Sequence, residues 1–310
     1  MPLPLKPPAL RSGDAVRIVS LSSPVEEDRV KKGCDELTRL GYVPKLDRGS
    51  VFARNGFFAG AAVSRGAVLK QALTERETRA IICTRGGYGS AYLLDEFDIG
   101  LDGAKLFVGY SDLTSLQLFL WKKFRIVTRY GPMVAAGLDK GPGVPGGYDP
   151  DSFVRAVTET KHTWSLNLRG ESISPGAAEG TLLGGCLTMI ETSVGTPWEL
   201  DTAGAILVLE DRGMKPWQLD RALMHLKQAG KFRGVAGIIL GEFPECPAPE
   251  GTATVKDVAT RILGRLGIPV VWGAPVGHTE RPMLTLPLGV RSRLTAGGAT
   301  ELSILEPACV

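Results

Sequence analysis

Five short apolar runs, at 16–21, 43–46, 80–83, 106–108 and 126–128, alternate along the first part of the chain with stretches in which apolar residues recur at helical spacing. This alternation constrains the fold more than any other feature. An apolar run without polar alternation is a strand covered on both faces, and a parallel neighbour can be reached only through a crossover, so strands that alternate with helices predict a parallel sheet between two helical layers. The crossovers read as helices at 26–40, 61–73, 90–97 and 113–124.

Around 131–150 the chain turns to glycine and proline, and a helix at 151–158 and a strand at 163–168 precede a polar stretch at 169–175. A domain boundary near 170 follows, giving domains 1–170 and 171–310. The second half has more strand character, at 179–185, 205–209, 235–240, 270–272, 284–288, 293–295 and 301–305, with helices at 216–229 and 255–266. Its last strands are short and joined by glycine turns, which predicts an antiparallel or mixed sheet, with closure on itself as one form it can take.

Composition removes several function classes. A net charge of +3, with Lys and Arg scattered, provides no phosphate-tracking surface, so nucleic acid is not an expected partner. The cysteines at 34, 83, 186, 246 and 309 are odd in number and lack C-x-x-C spacing, which fits a reducing compartment and neither a disulfide framework nor a zinc site. The proline-rich start has no apolar signal core, and no apolar run is long enough to span a bilayer. The reading is a cytoplasmic protein with no membrane partner, no metal and no cofactor.

Candidate chemistry concentrates where apolar runs end. Gly109-Tyr110-Ser111-Asp112 joins the run at 106–108 to a helix marked by Leu113, Leu116, Leu120 and Phe124. A serine at a strand-to-helix turn is either an ordinary N-cap or a nucleophile at the carboxyl edge of the sheet. Arg85-Gly86-Gly87-Tyr88-Gly89-Ser90 follows the strand at 80–83 and emerges at that same edge. It is a tight turn or, beside a serine, a loop that donates amides to an oxyanion; it is neither G-x-G-x-x-G nor a P-loop. His278 lies in a glycine- and proline-punctuated loop, solvated or acting as a base, whereas His225 falls on a helical pattern and His162 at the start of a strand. Glu210 ends the apolar run at 205–209, and a buried carboxylate there is costly unless paired; Asp211 is its rival.

Taken together, R-G-G-Y-G-S at 85–90, F-V-G-Y-S-D-L-T at 107–114, G-P-M at 131–133, G-G-C-L-T at 184–188, G-T-P-W-E-L-D at 195–201, L-V-L-E-D at 207–211, I-L-G-E-F at 239–243 and P-V-G-H at 275–278 resemble the LD-carboxypeptidases, serine peptidases that include the microcin C self-immunity hydrolases. The resemblance spans nearly the whole chain, in order. It implies a flavodoxin-like N-terminal domain and a smaller, mostly-β C-terminal domain, with the site between them. Within that site it implies a Ser111–His278–Glu210 triad and an oxyanion hole from backbone N–H groups of Asp112 and the Gly86-Gly87 turn. It further implies a homodimer that releases D-alanine from cytoplasmic murein tetrapeptides by cleaving a bond between an L centre and a D residue. The runner-up is a microcin-type hydrolase of aminoacyl-nucleotide amides; a ligand-binding protein without catalysis is the alternative of a different class. Met214-Lys215-Pro216-Trp217 and Arg129-Tyr130 depart from the family pattern and leave the preferred side chain open.

Overall fold

The computed structural model describes residues 3–94, 99–101 and 103–310. The chain forms two compact units, one of Met1–Thr160 with Arg281–Pro287 and Ala308–Val310, the other of Lys161–Glu280 with Leu288–Pro307.

The first unit runs β1 (Ala15–Val19), α1 (Glu27–Arg39), β2 (Val43–Lys45), α2 (Arg48–Val51), α3 (Ala62–Thr74), β3 (Ala80–Cys83), β4 (Leu106–Gly109), α4 (Thr114–Phe124), β5 (Thr128–Tyr130) and α5 (Pro150–Thr158). β1 through β5 pair in parallel in the order β2-β1-β3-β4-β5, the flavodoxin arrangement. β3 and β4 are buried at every position, which is why they read as unbroken apolar runs. Core side chains such as Ile82, Leu106 and Val108 each contribute about 1.5–3 kcal/mol through burial. The chain order reverses between β1 and β3, so the loops after these strands flank the crevice where open α/β sheets bind ligands.

The second unit contains β6 (Trp164–Asn167), β7 (Glu171–Ser174), β8 (Gly176–Cys186), α6 (Leu187–Ser193), β9 (Ala205–Glu210), α7 (Pro216–Gln228), β10 (Gly237–Leu240), α8 (Val255–Leu263) and β11 (Val270–Trp272). After β12 (Leu286–Leu288) come its last two strands, β13 (Arg291–Ala296) and β14 (Thr300–Ile304). Its sheet has the order β6-β14-β13-β8-β9-β10-β11-β7. β8, β9, β10 and β11 are parallel, and the flanking strands antiparallel. The sheet is therefore mixed, and among the described residues no ladder joins β6 to β7, so it stays open.

Several local expectations change. The run at 284–288 becomes β12, which pairs beyond β5 at the edge of the first sheet instead of joining the second. The polar stretch at 169–175 contains the edge strand β7, and the unexpected α6 follows β8 directly. Of the helix expected at 90–97, a single 3-10 turn at Ala91–Leu93 is present, and residues 95–98 lie outside the described ones. Among the described residues no helix is long and apolar enough to cross a membrane.

Candidate active site

In the first unit the site is built on the turn from β4 into α4. Ser111 sits there with φ +64°, a left-handed conformation that costs a non-glycine residue roughly 1–2 kcal/mol. Its backbone N–H donates to the Tyr130 hydroxyl at 3.3 Å, and Gln117 Nε2 donates to the Gly109 and Arg129 carbonyls at 3.1 and 2.9 Å. The ends of β4 and β5 are thereby tied to the helix that follows the serine. The N-cap positions at this turn are Tyr110 and Leu113, and neither side chain caps its helix.

The loop after β3 lies against this elbow. A Cβ added to Gly86 would stand 2.8 Å from Ser111 Cβ, 3.0 Å from its Oγ and 3.4 Å from the Asp112 nitrogen, so a glycine is required for this approach. Gly87 lies against Ser23 of the loop after β1, whose N–H donates to the Gly86 carbonyl at 3.4 Å and whose Oγ accepts from Tyr88 N–H at 3.1 Å. The Asp112 side chain is the fastener. Buried, it accepts from Ser22 Oγ at 2.5 Å, Ser90 N–H at 2.8 Å and Gly89 N–H at 3.3 Å, while its own carbonyl accepts from Ser90 Oγ at 2.6 Å. Gly86, Gly87, Ser111 and Asp112 thus meet at the carboxyl edge of the sheet, with three loops cross-linked by one carboxylate. From the sequence Asp112 offered only a backbone amide; the partners of its side chain are 22 to 90 residues distant and leave no local signal.

In the second unit, Glu210 is the last residue of β9, and His278 follows β11. Glu210 is fully buried, and its Oε2 accepts from His278 Nδ1 at 2.9 Å and from the His278 backbone N–H at 2.8 Å. These two bonds, one of them to an imidazole that can charge, offset the desolvation of the carboxylate. Gly277 permits the contact, since it has φ +62° and a Cβ there would lie 2.3 Å from the Glu210 carboxyl carbon. With Nδ1 bound to a carboxylate, Nε2 of the neutral imidazole is the acceptor. Burial works to lower the His278 pKa, but the charge and hydrogen bond of Glu210, with Asp211 adding, outweigh it, and the net shift is upward.

Asp211 is engaged elsewhere. It accepts from the backbone N–H and Oγ1 of Thr188 at 2.9 and 2.6 Å, holding the start of α6, and burial with the nearby Glu210 charge raises its pKa despite those bonds. A residue not anticipated from the sequence is Glu242, just beyond β10, whose Oε2 accepts from Thr279 Oγ1 at 2.5 Å and Glu280 N–H at 2.9 Å. It pins the loop that carries His278. Of the other histidines, His225 is exposed with Nδ1 3.1 Å from Glu191, and His162 is exposed. Among the described residues no group of three or more His, Cys, Asp or Glu side chains is arranged to hold a metal ion.

Each unit therefore has its own cluster at the carboxyl ends of parallel strands: an elbow serine packed on an amide-bearing loop, and a carboxylate–histidine pair. Residues 16–131 match the model of the LD-carboxypeptidase N-terminal domain, and residues 179–294 that of the LD-carboxypeptidase C-terminal domain. A probable murein peptide carboxypeptidase of Bacillus subtilis (strain 168) is 31% identical over 302 residues, covering 96% of this chain and 93% of its own. The microcin C7 self-immunity protein of Escherichia coli is 27% identical over 321 residues, covering 93% of this chain and 92% of its own. The crystal structure of muramoyltetrapeptide carboxypeptidase from Oxalobacter formigenes aligns with a TM-score of 0.81 at 28% identity, covering 94% of this chain and 98% of that one.

Proposed function

The chain belongs to the LD-carboxypeptidase family, and from that premise we propose that it is a serine-type carboxypeptidase that releases the C-terminal D-alanine of murein tetrapeptide. Ser111 attacks the scissile carbonyl while His278 Nε2 takes the hydroxyl proton, and a C–O bond forms to Oγ. The resulting oxyanion accepts from the Asp112 amide and the Gly86-Gly87 turn. As the C–N bond breaks, His278 returns the proton to the departing amine of D-alanine. Water, deprotonated by the same imidazole, then cleaves the acyl-enzyme and regenerates Ser111. Glu210 holds the imidazole tautomer throughout and stabilises the imidazolium.

The observation that carries this reading is the left-handed Ser111 at the β4–α4 turn, packed on Gly86. A serine needed only to cap a helix has no cause to occupy a strained conformation, whereas a nucleophile that must present Oγ above a sheet edge does. The Glu210–His278 pair supplies the base that such a nucleophile needs. We place the protein in the cytoplasm, acting as a homodimer on a small peptide and needing no metal.

A second reading, hydrolysis of an aminoacyl-nucleotide amide by the same residues, is favoured by the similarity to the microcin C7 self-immunity protein. Incubating the purified protein with a murein tetrapeptide and, separately, with an aminoacyl sulfamoyl-adenylate tests the two. Release of D-alanine supports the first; cleavage of the adenylate alone supports the second.

A further inference from the structure

Next to the elbow, an aromatic cluster stands open to solvent. Phe57, Tyr88 and Tyr92 are 62%, 48% and 51% exposed, although solvent-facing aromatic rings usually occur singly. They gather on the half-buried Phe58, whose ring centroid lies 4.4 Å from Phe57, 5.8 Å from Tyr88 and 5.4 Å from Tyr92. Tyr88 and Tyr92 meet edge to face at 6.0 Å.

The cluster is rigidly joined to the loop beside Ser111. Phe58 and Asn55 exchange backbone hydrogen bonds of 3.0 and 2.9 Å across a tight turn, which presents Phe57 at its tip. The Phe58 ring lies so close to Gly89 that a Cβ there would be 2.6 Å from it. Behind the ring, buried Arg65 stacks its guanidinium at 5.1 Å and donates to the carbonyls of Leu21 at 2.5 Å and Gly89 at 2.8 Å. Tyr88 itself is two residues from Gly86. The rings and the amide-bearing loop are consequently packed against one another.

We propose that this cluster is the subsite for the amino-sugar ring at the far end of a muramoyl peptide, a proposal that rests on the peptidase reading above. Three considerations select this ligand. A pyranose carries a face of C–H groups that is attracted to the negative face of an aromatic ring, while tyrosine hydroxyls can bond its polar edge. The most nearly parallel pair, Phe58 and Tyr88 at 27°, has its centroids only 5.8 Å apart, too close to admit another ring between them, and Phe57–Phe58 and Tyr88–Tyr92 are inclined at 50° and 86°, so the cluster forms a stepped platform without a slot for a nucleobase. Reach agrees as well. A tetrapeptide cut before its last residue carries its amino-terminal substituent three residues, or about 10 Å of extended chain, from the scissile carbonyl. The Tyr88 Cα is two Cα steps, at most about 8 Å, from that of Gly86, and adjoining ring centroids of the platform are spaced by 4.4 to 6.0 Å.

The test uses the full chain with Ser111→Ala, so that ligands persist, and isothermal titration with a muramoyl tetrapeptide and an N-acetyl tetrapeptide without sugar. The muramoyl ligand should bind about tenfold more tightly, and adding Phe57→Ala or Tyr92→Ala should remove most of that advantage. Both side chains are exposed, and a thermal melt verifies that each variant is folded. Equal affinity for the two peptides, an advantage that survives both substitutions, or stronger binding of an aminoacyl sulfamoyl-adenylate than of the muramoyl peptide would overturn the proposal. D-alanine release by the unsubstituted protein is measured separately. If both peptides are cut and bound alike, the platform fails and the peptidase reading stands; if neither is cut, the peptidase reading fails and the affinity ratio still decides the platform.

Discussion

Glu210 Oε2 accepts two hydrogen bonds from a single residue, the Nδ1 and the backbone N–H of His278, at 2.9 and 2.8 Å. The first fixes the tautomer; the second fixes the loop, so that imidazole orientation and backbone position depend on the same oxygen. Its electrostatic consequence can be measured.

The His278 pKa lies above the ordinary value of 6.5, because the charge and hydrogen bond of Glu210 prevail over burial. A base must be neutral to act, so the acid limb of kcat/KM should have its midpoint above that value. NMR titration of the imidazole should show Glu210→Gln lowering the pKa, since burial persists while the charge is gone. Arg212→Gln should raise it, since Arg212 disfavours the imidazolium. In linkage terms, the contribution of a raised histidine to stability is fully present below pH 6.5 and is lost as pH rises through the folded-state pKa. A midpoint at or below 6.5 in the unsubstituted protein contradicts the account.

Gly86→Ala should disable the elbow while sparing most of the fold. The new methyl would meet Ser111 Cβ at 2.8 Å, so the serine must move by several tenths of an ångström or more. Displacement of a reacting group by about 1 Å can reduce turnover on the order of a hundredfold, whereas overpacking costs about 1–3 kcal/mol of stability. Activity and melting temperature measured on one preparation separate the two effects.

Asp112→Ala should be the more destabilising change. It leaves the buried Ser22 hydroxyl and the Gly89 and Ser90 amides without their acceptor, and each lost bond to a charged group is worth about 1.5–3 kcal/mol. Denaturant unfolding should show a loss of about 3 kcal/mol or more. A loss under 1 kcal/mol would mean that the three loops do not depend on this carboxylate.

Glu242→Ala should release the loop at Thr279 and Glu280 and let His278 drift from Glu210. Misplacement of a reacting group by about 1 Å can lower activity on the order of a hundredfold. The imidazole pKa should fall back toward its ordinary value, and Glu242→Gln, which keeps an acceptor oxygen, should recover part of both. An unchanged pKa in Glu242→Ala would remove Glu242 from the positioning of His278.

The strands of the first sheet were legible because buried parallel strands carry continuous apolar runs, as in Ala80–Cys83 and Leu106–Gly109. α6 was not, since Leu-Thr-Met-Ile-Glu-Thr-Ser is short and rich in residues without strong helix preference. β7 was hidden by its polar edge-strand sequence, Glu-Ser-Ile-Ser. Sheet membership is equally silent: the run at 284–288 announces a strand but not that it returns to pair beyond β5. Within the candidate site, residue types and chain order marked Ser111, Glu210 and His278. The left-handed backbone of Ser111 and the side-chain roles of Asp112 and Glu242 depend on partners far along the chain, where no local pattern records them.

Stereochemistry should follow from the same geometry. A pocket that holds a terminal D-alanine aligns the scissile carbonyl with Ser111, and inverting that centre misplaces it, so the L-alanine diastereomer of the tetrapeptide should be cut about a hundredfold more slowly. Chiral analysis of the released amino acid checks this, and equal rates would reject a D-specific site.

Whether Ser111 is the nucleophile that frees D-alanine is tested most directly by measuring free D-alanine released from murein tetrapeptide by the unsubstituted protein and by a folded Ser111→Ala variant. The former should release one D-alanine per peptide and the latter should do so at a rate lower by about four decades or more. Turnover within a few-fold in Ser111→Ala, or no D-alanine from the unsubstituted protein while it cleaves an aminoacyl sulfamoyl-adenylate, would contradict that role.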